Sequence, residues 1–183
     1  TERFTPDGPE SARINLDCPV VLFVGRLVEG KRPGDAVQAV SRLTDVEAKI
    51  YVVGDGPLRE ELEADAENVA FLGHVPYDEM PAIYRSGDVL LLPSRAEGLP
   101  RTVLEAFASG TPVVSSHLEQ TASIVQEGGE TVAVGDIEGY VAALEQVLEN
   151  GDTLGEQGRQ TVVSRFRWPD TVDQTTTVLE SLR

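Results

Sequence analysis

Cysteine is nearly absent. Cys18 stands alone among 183 residues, so the chain can form neither an internal disulfide nor a cysteine-based zinc knuckle. Lysine is almost as scarce: Lys31 and Lys49 are the only two, and arginine supplies the remaining basic residues. With 15 basic side chains against 31 acidic ones the formal net charge is −16, which excludes the broad basic face that nucleic acid or anionic lipid requires. Any phosphate site must therefore be local. Long apolar runs are missing too, since stretches such as Val20–Val24 and Val89–Leu92 fall far short of the ~20 residues of a membrane-spanning helix. Histidine is limited to His74 and His117, which lack the partners of a His-rich metal site and read as structural or exposed residues. No secretory leader is legible, and the expectation is a cytoplasmic location.

What is present is a 40% hydrophobic content, enough for one substantial core. Short apolar runs recur at Val20–Val24, Ala48–Val53, Val69–Leu72, Val89–Leu92, Pro112–Ser115 and Thr131–Val134, each bounded by Gly, Pro or Asp, and predict six buried strands. Between them, helical periodicity covers Asp35–Leu43, Leu58–Ala66, Asp78–Arg85, Thr102–Ser109, Glu119–Gln126 and Ile137–Glu149. Two further helices, Gly151–Phe166 and Pro169–Leu182, are expected at the C-terminal end, while residues 1–17 are polar and turn-rich and read as a linker. Strands alternating with helices, and apolar almost throughout, predict an α/β fold: a Rossmann-like, doubly wound parallel sheet of about six strands with ligands bound beyond its carboxyl edge.

The loops at that edge carry the candidate chemistry. After the first strand, Gly25 to Pro33 nearly match the phosphate loop GxxxxGK followed by Ser or Thr, but Arg32 replaces the hydroxyl that would ligate magnesium and Pro33 disfavours helical geometry there. A nucleotide hydrolase is excluded on this ground. What remains is a cluster of Arg26, Lys31 and Arg32 suited to a diphosphate, or to nearby surface acids such as Glu29 and Asp35. Gly54-Asp55-Gly56-Pro57 has Arg59 where a GxGxxG fingerprint needs glycine, so a dinucleotide site is disfavoured. The stretch Pro93 to Gly110 places Glu97 and Gly98 in a loop, Pro100 in the first turn of a helix and Glu105 inside it among apolar neighbours. A carboxylate in that setting needs donors: a vicinal diol such as ribose would supply them, and so would Arg101 four residues earlier. The helix rises about 7.5 Å from Pro100 to Glu105, so a nucleotide could lie with its diphosphate at the helix start and its ribose near Glu105.

These residues, together with Phe23-Val-Gly-Arg-Leu27, Val53-Gly-Asp-Gly-Pro57, Phe71-Leu-Gly-His-Val75, Leu104 to Val114 and Phe166-Arg-Trp168, resemble the retaining glycosyltransferases of the GT-B fold that carry an E-x7-E motif, here Glu97 and Glu105. The resemblance implies one half of a GT-B fold, the C-terminal half that binds a nucleoside-diphosphate sugar, over residues 18–183, with residues 1–17 as the interdomain linker segment. It makes Arg26 and Lys31 the clamp on the donor diphosphate and Glu97 the partner of hydroxyls on the transferred sugar. Glu105 would hold the ribose diol. Gly98, Leu99 and Pro100 would approach sugar and phosphate, Gly25, Gly54 and Leu104 would complete the donor site, and Val75 and Leu58 would flank the base. It further implies no required cofactor or metal, an acceptor domain that this chain lacks, and an isolated half that binds donor without turnover. Membrane or lipid-linked acceptors would be met only through that missing domain, at the cytoplasmic membrane face.

One departure is Ser115 to Ala122, which lacks the glycine-rich turn the family places after this strand. Two other classes share the fold: a noncatalytic nucleotide-binding module, disfavoured because Arg26, Lys31, Glu97 and Glu105 are all retained, and a nucleotide-sugar epimerase. Composition makes a separate prediction. An acid-rich, lysine-poor chain is expected to be salt-adapted, so its melting temperature rises between low salt and molar KCl; an ordinary acidic protein shows no such rise.

Overall fold

A computed structural model describes residues 3–44, 46–64 and 68–166. Each predicted strand is found: β1 (Val20–Val24), β2 (Lys49–Val53), β3 (Val69–Gly73), β4 (Val89–Leu92), β5 (Val113–Ser116) and β6 (Gly129–Val132). The helices between them are α1 (Pro33–Ser41), α2 (Arg59–Ala64), α3 (Met80–Arg85), α4 (Arg101–Ala108) and α5 (Ala122–Val125), and α6 (Ile137–Arg165) closes the described part. All neighbouring strands run parallel in the order β3-β2-β1-β4-β5-β6, with Leu22 opposite Tyr51 on one side and Leu90 on the other. This is the doubly wound order, whose winding reverses between β1 and β4.

Successive side chains of a strand point to opposite faces, and each face has its own core. Val20, Leu22, Tyr51, Leu90 and Leu92 pack with Ile83 and Tyr84 of α3 and Val103 and Phe107 of α4. Val21, Phe23, Ile50, Val52 and Leu91 pack with Ala36 and Val40 of α1 and Tyr140 and Leu144 of α6. Burial on both faces explains why the central strands β1 and β4 are apolar throughout. The N-terminal segment contributes too, since Phe4 and Ile14 are buried in the first of these cores. Among the described residues no helix is long and apolar enough to cross a membrane.

Three expectations are corrected. The last strand is Gly129–Val132 rather than Thr131–Val134, because Gly129 lies against β5 where a Cβ would meet the Val113 carbonyl oxygen at 1.8 Å. Pro100 is not inside the helix but caps it with extended backbone, at φ −71° and ψ 120°. The two helices expected at Ile137–Glu149 and Gly151–Phe166 are one helix of 29 residues. Glycines there permit close approach instead of breaking the helix. A Cβ at Gly155 would stand 1.9 Å from the Gly110 carbonyl oxygen, and one at Gly158 would stand 2.5 Å from the Phe107 ring. The helix predicted at Pro169–Leu182 lies outside the described residues.

Gly151 lies in the same helix with only ordinary contacts, at 3.8 Å, around the position of an added Cβ. Chemical denaturation should therefore separate the two sites. Gly155→Ala is expected to destabilise by about 2 kcal/mol or more through overpacking, whereas Gly151→Ala should stabilise by up to ~1 kcal/mol through helix propensity.

Candidate functional site

The strand reversal opens a gap at the carboxyl edge, because the chain leaves β1 toward β2 and leaves β4 toward β5. A cleft of about 510 Å³ occupies this edge, lined by Gly25 and Arg26 after β1, Gly54 and Asp55 after β2, His74, Val75 and Tyr77 after β3, and Arg101 and Glu105 of α4. Backbone proximity shapes its floor. Gly54 adopts φ +128°, and a Cβ there would stand 1.9 Å from the Gly25 carbonyl oxygen, so only glycine lets the two loops meet. The Gly25 N–H donates to the Val53 carbonyl and the Leu27 N–H to the Asp55 carbonyl, locking the loops together.

Arg26 is exposed at the cleft wall and forms no ion pair among the described residues. Lys31 stands at the end of a short 3-10 turn, Glu29–Lys31, and Arg32 follows in the left-handed region at φ 51°, with α1 beginning only at Pro33. Arg32 thus lies outside helical geometry, as Pro33 predicts. Arg32 is tied to Asp35 at 2.6 Å and does not line the cleft.

Lys31 pairs with Glu97, whose side chain is 13% exposed. This bond and the Arg95 N–H donated to the Gly30 carbonyl at 2.9 Å join the loop after β1 to the loop after β4 across the strand reversal. The resemblance gave Lys31 and Glu97 separate duties, and the structure pairs them with each other. A partly exposed pair of this kind is worth on the order of 1 kcal/mol, little enough for a diphosphate to displace.

Glu105 is the best-held acid of the site. Tyr77 donates its hydroxyl to Oε1 at 3.0 Å, Tyr84 donates to Oε2 at 3.2 Å, and Arg101 reaches Oε1 at 3.4 Å. The Arg101 bridge expected from spacing is thus present, but the two tyrosines carry more of the geometry. Arg101 also donates to the Tyr77 hydroxyl at 2.9 Å and lies over its ring. Burial, and then the adjacent Glu105 carboxylate, push the Tyr84 phenol well above its usual range. Burial likewise raises Tyr140, which shares a hydrogen bond with Ser116 on the opposite face.

Of the expected site residues, the cleft brings together Gly25, Arg26, Gly54, Val75 and Glu105. Gly98 and Leu99 are exposed in the loop before α4, beside Pro100, and Leu104 packs against the core under that helix. Leu58 packs on the other face, against the core of α1 and α6, and does not line the cleft. Sequence reasoning missed Tyr77, Met80 and His74 as lining residues. Their one legible signal was position in the segment after a parallel strand. A second hollow, about 460 Å³, lies at the opposite edge of the sheet. Its Arg85 serves the fold by donating to the carbonyls of Thr5 and Pro9, and its Asp88 accepts the Val20 N–H. Among the described residues no cluster of three or more His, Cys, Asp or Glu could hold a metal ion.

The raised phenols make stability depend on alkaline pH. Unfolded tyrosines release their protons near pH ~10 while folded Tyr84 and Tyr140 still hold theirs, so stability falls as pH rises through and above that value. In denaturant melts between pH 9 and 11, Tyr84→Phe should flatten this decline and also lower neutral-pH stability by about 1 kcal/mol through the lost hydrogen bond.

The comparisons with known proteins agree with this geometry. Lipopolysaccharide core biosynthesis glycosyltransferase LpsE of Rhizobium meliloti is 34% identical over 159 residues, covering 82% of this chain and 46% of that protein. The chain spans about half the length of curated relatives such as this one. Among solved structures, the sucrose-phosphate synthase of Thermosynechococcus elongatus matches 99% of this chain and 50% of its own with a TM-score of 0.84 at 24% identity. Anabaena HepE in complex with UDP-glucose matches 90% of this chain and 49% of its own with a TM-score of 0.81 at 21% identity. These likenesses show a Rossmann-like half of the GT-B fold. The sequence signature described as glycosyl transferases group 1 matches residues 18–150, most of the chain, and the chain belongs to that family.

Proposed function

We propose that this chain is the donor-binding half of a retaining glycosyltransferase, which takes a sugar from a nucleoside diphosphate and passes it to an acceptor held by another domain. The observation that carries this reading is the pairing, in one cleft at the strand reversal, of an unpaired cation, Arg26, with a carboxylate, Glu105, one turn inside α4. In a protein of net charge −16, an arginine without an ion-pair partner among the described residues, in the same cleft as the first turn of α4, is a local attractor for a diphosphate. The UDP-glucose complex of HepE, similar in fold, supports a nucleotide sugar as ligand.

In this reading the diphosphate lies between Arg26 and the start of α4. Lys31 is drawn from Glu97 toward the phosphates, which frees the Glu97 carboxylate to accept hydroxyls of the transferred sugar, with Gly98, Leu99 and Pro100 lining its approach. The bond from the anomeric carbon to the diphosphate oxygen breaks, its electron pair stays on the diphosphate, and the two cations stabilise that charge. The acceptor oxygen then bonds to the anomeric carbon from that same face, and its proton passes to the departing diphosphate oxygen. Glu97 and Glu105 are the E-x7-E pair of this scheme. No metal or other cofactor is required, because Arg26 and Lys31 supply the positive charge. The full protein would work in the cytoplasm, meeting any lipid-linked acceptor at the membrane face through its other domain.

Calorimetric titration of UDP, GDP and ADP, with their sugar conjugates, tests the reading. Saturable binding of one nucleotide is expected, weakened roughly tenfold or more by Glu105→Ala and by Arg26→Ala. The free nucleoside should lose affinity only in Glu105→Ala. Binding that neither substitution changes overturns the proposal.

A further inference from the structure

Glu105 is held by hydroxyls from two rings, and both rings rest on a residue far away in sequence. Phe4 lies in a segment without helix or strand, yet it is 5% exposed. Its ring meets Tyr84 edge-on, with centroids 5.9 Å apart and planes at 64°, and meets Tyr77 at 5.6 Å and 60°. The segment is pinned where it runs over α3. Arg85 donates to the carbonyls of Thr5 and Pro9, Ser86 Oγ accepts the Ser11 N–H at 2.8 Å, and Arg13 pairs with Glu79 at 2.8 Å. Arg3 covers Tyr77 at 5.3 Å from the ring centroid.

We infer that Phe4 is a positioning residue for recognition of the donor's ribose: by fixing the Tyr77 and Tyr84 rings it sets the plane of the Glu105 carboxylate so that both oxygens face a vicinal diol. This rests on the donor reading of the cleft and extends it to the N-terminal segment. A carboxylate has about four acceptor sites, two on each oxygen. The tyrosines take one on each oxygen, from fixed directions. The other site on each oxygen is left for a diol, and the long 3.4 Å contact from Arg101 is the one that yields. Tyr84 is buried and bonded to Glu105, whereas Tyr77 is 46% exposed, with Arg3 and Arg101 over its ring and Phe4 as its contact with the core. Without Phe4, Tyr77 could swing into the cleft and Glu105 could turn with it.

The test compares binding of UDP, GDP and ADP with binding of their 2′-deoxy forms to the whole chain, in the wild type and in Phe4→Ala, Phe4→Leu and Ile14→Ala. Ile14 lies in the same segment and the same core, so its truncation controls for lost packing. The wild type should prefer the ribonucleotide roughly tenfold. Phe4→Ala should cut that preference at least fivefold, Phe4→Leu should cut it at least twofold, and Ile14→Ala should leave it unchanged despite a lowered melting temperature. The inference is overturned if Phe4→Ala keeps the wild-type preference, or Phe4→Leu does where the alanine variant fails to fold, or if Ile14→Ala loses it equally. Wild-type binding without ribose preference overturns the role of Phe4 and leaves the diphosphate site standing. No nucleotide binding at all removes the donor reading and this inference together.

Discussion

The reversal of winding between β1 and β4 is the constraint on which the site depends. Two adjacent parallel strands send their chains in opposite directions, so no connection can cover the gap between their carboxyl ends. Of the candidate residues, Arg26 and Glu105 line that gap, and Lys31 and Glu97 pair between the neighbouring loops. The loop after β1 brings Arg26 and Lys31, the loop after β4 brings Glu97, and α4 brings Glu105. The bridge from Lys31 to Glu97 joins the loop after β1 to the loop after β4 across the reversal. It keeps two loops in register that the sheet itself holds only at their bases.

Charge and burial divide the work within the cleft. On one side Arg26 has no ion-pair partner among the described residues, and beside it Lys31 pairs with Glu97 in a partly exposed bridge that would cost little to rearrange around an anion. On the other side Glu105 is fixed by buried and half-buried phenols, which resist rearrangement because each hydroxyl would lose its acceptor. The exposed half is adaptable and the buried half is rigid. A ligand with a flexible charged part and a stiff hydroxylated part suits that division.

The strands were legible because burial on both faces leaves nearly unbroken apolar runs, and β1 and β4 match their expected bounds to the residue. The last strand was misplaced by two residues, since Gly129 looks like a turn until β5 is seen pressed against it. The same ambiguity hid the continuity of α6, where Gly151 suggests a break, while Gly155 and Gly158 let the helix approach α4 and the turn after it. At the site, Arg26, Lys31, Glu97 and Glu105 were legible from motif and resemblance. Tyr77 and Tyr84 were not, because they reach Glu105 from 28 and 21 positions away. Phe4 is still more remote. Local patterns say which residues are apolar, and only the assembled fold says which ring a carboxylate meets.

The long final helix has a consequence for how the molecule comes apart. Its first half packs with α1 through Tyr140, Leu144 and Val147, and its second half joins the other face through Val162. At ~1.5 Å per residue its 29 residues make a strut roughly 43 Å long, fastened to both layers. Neither layer can open while the strut stays docked, so the two faces of the sheet are expected to exchange their amide hydrogens as one cooperative unit rather than as two.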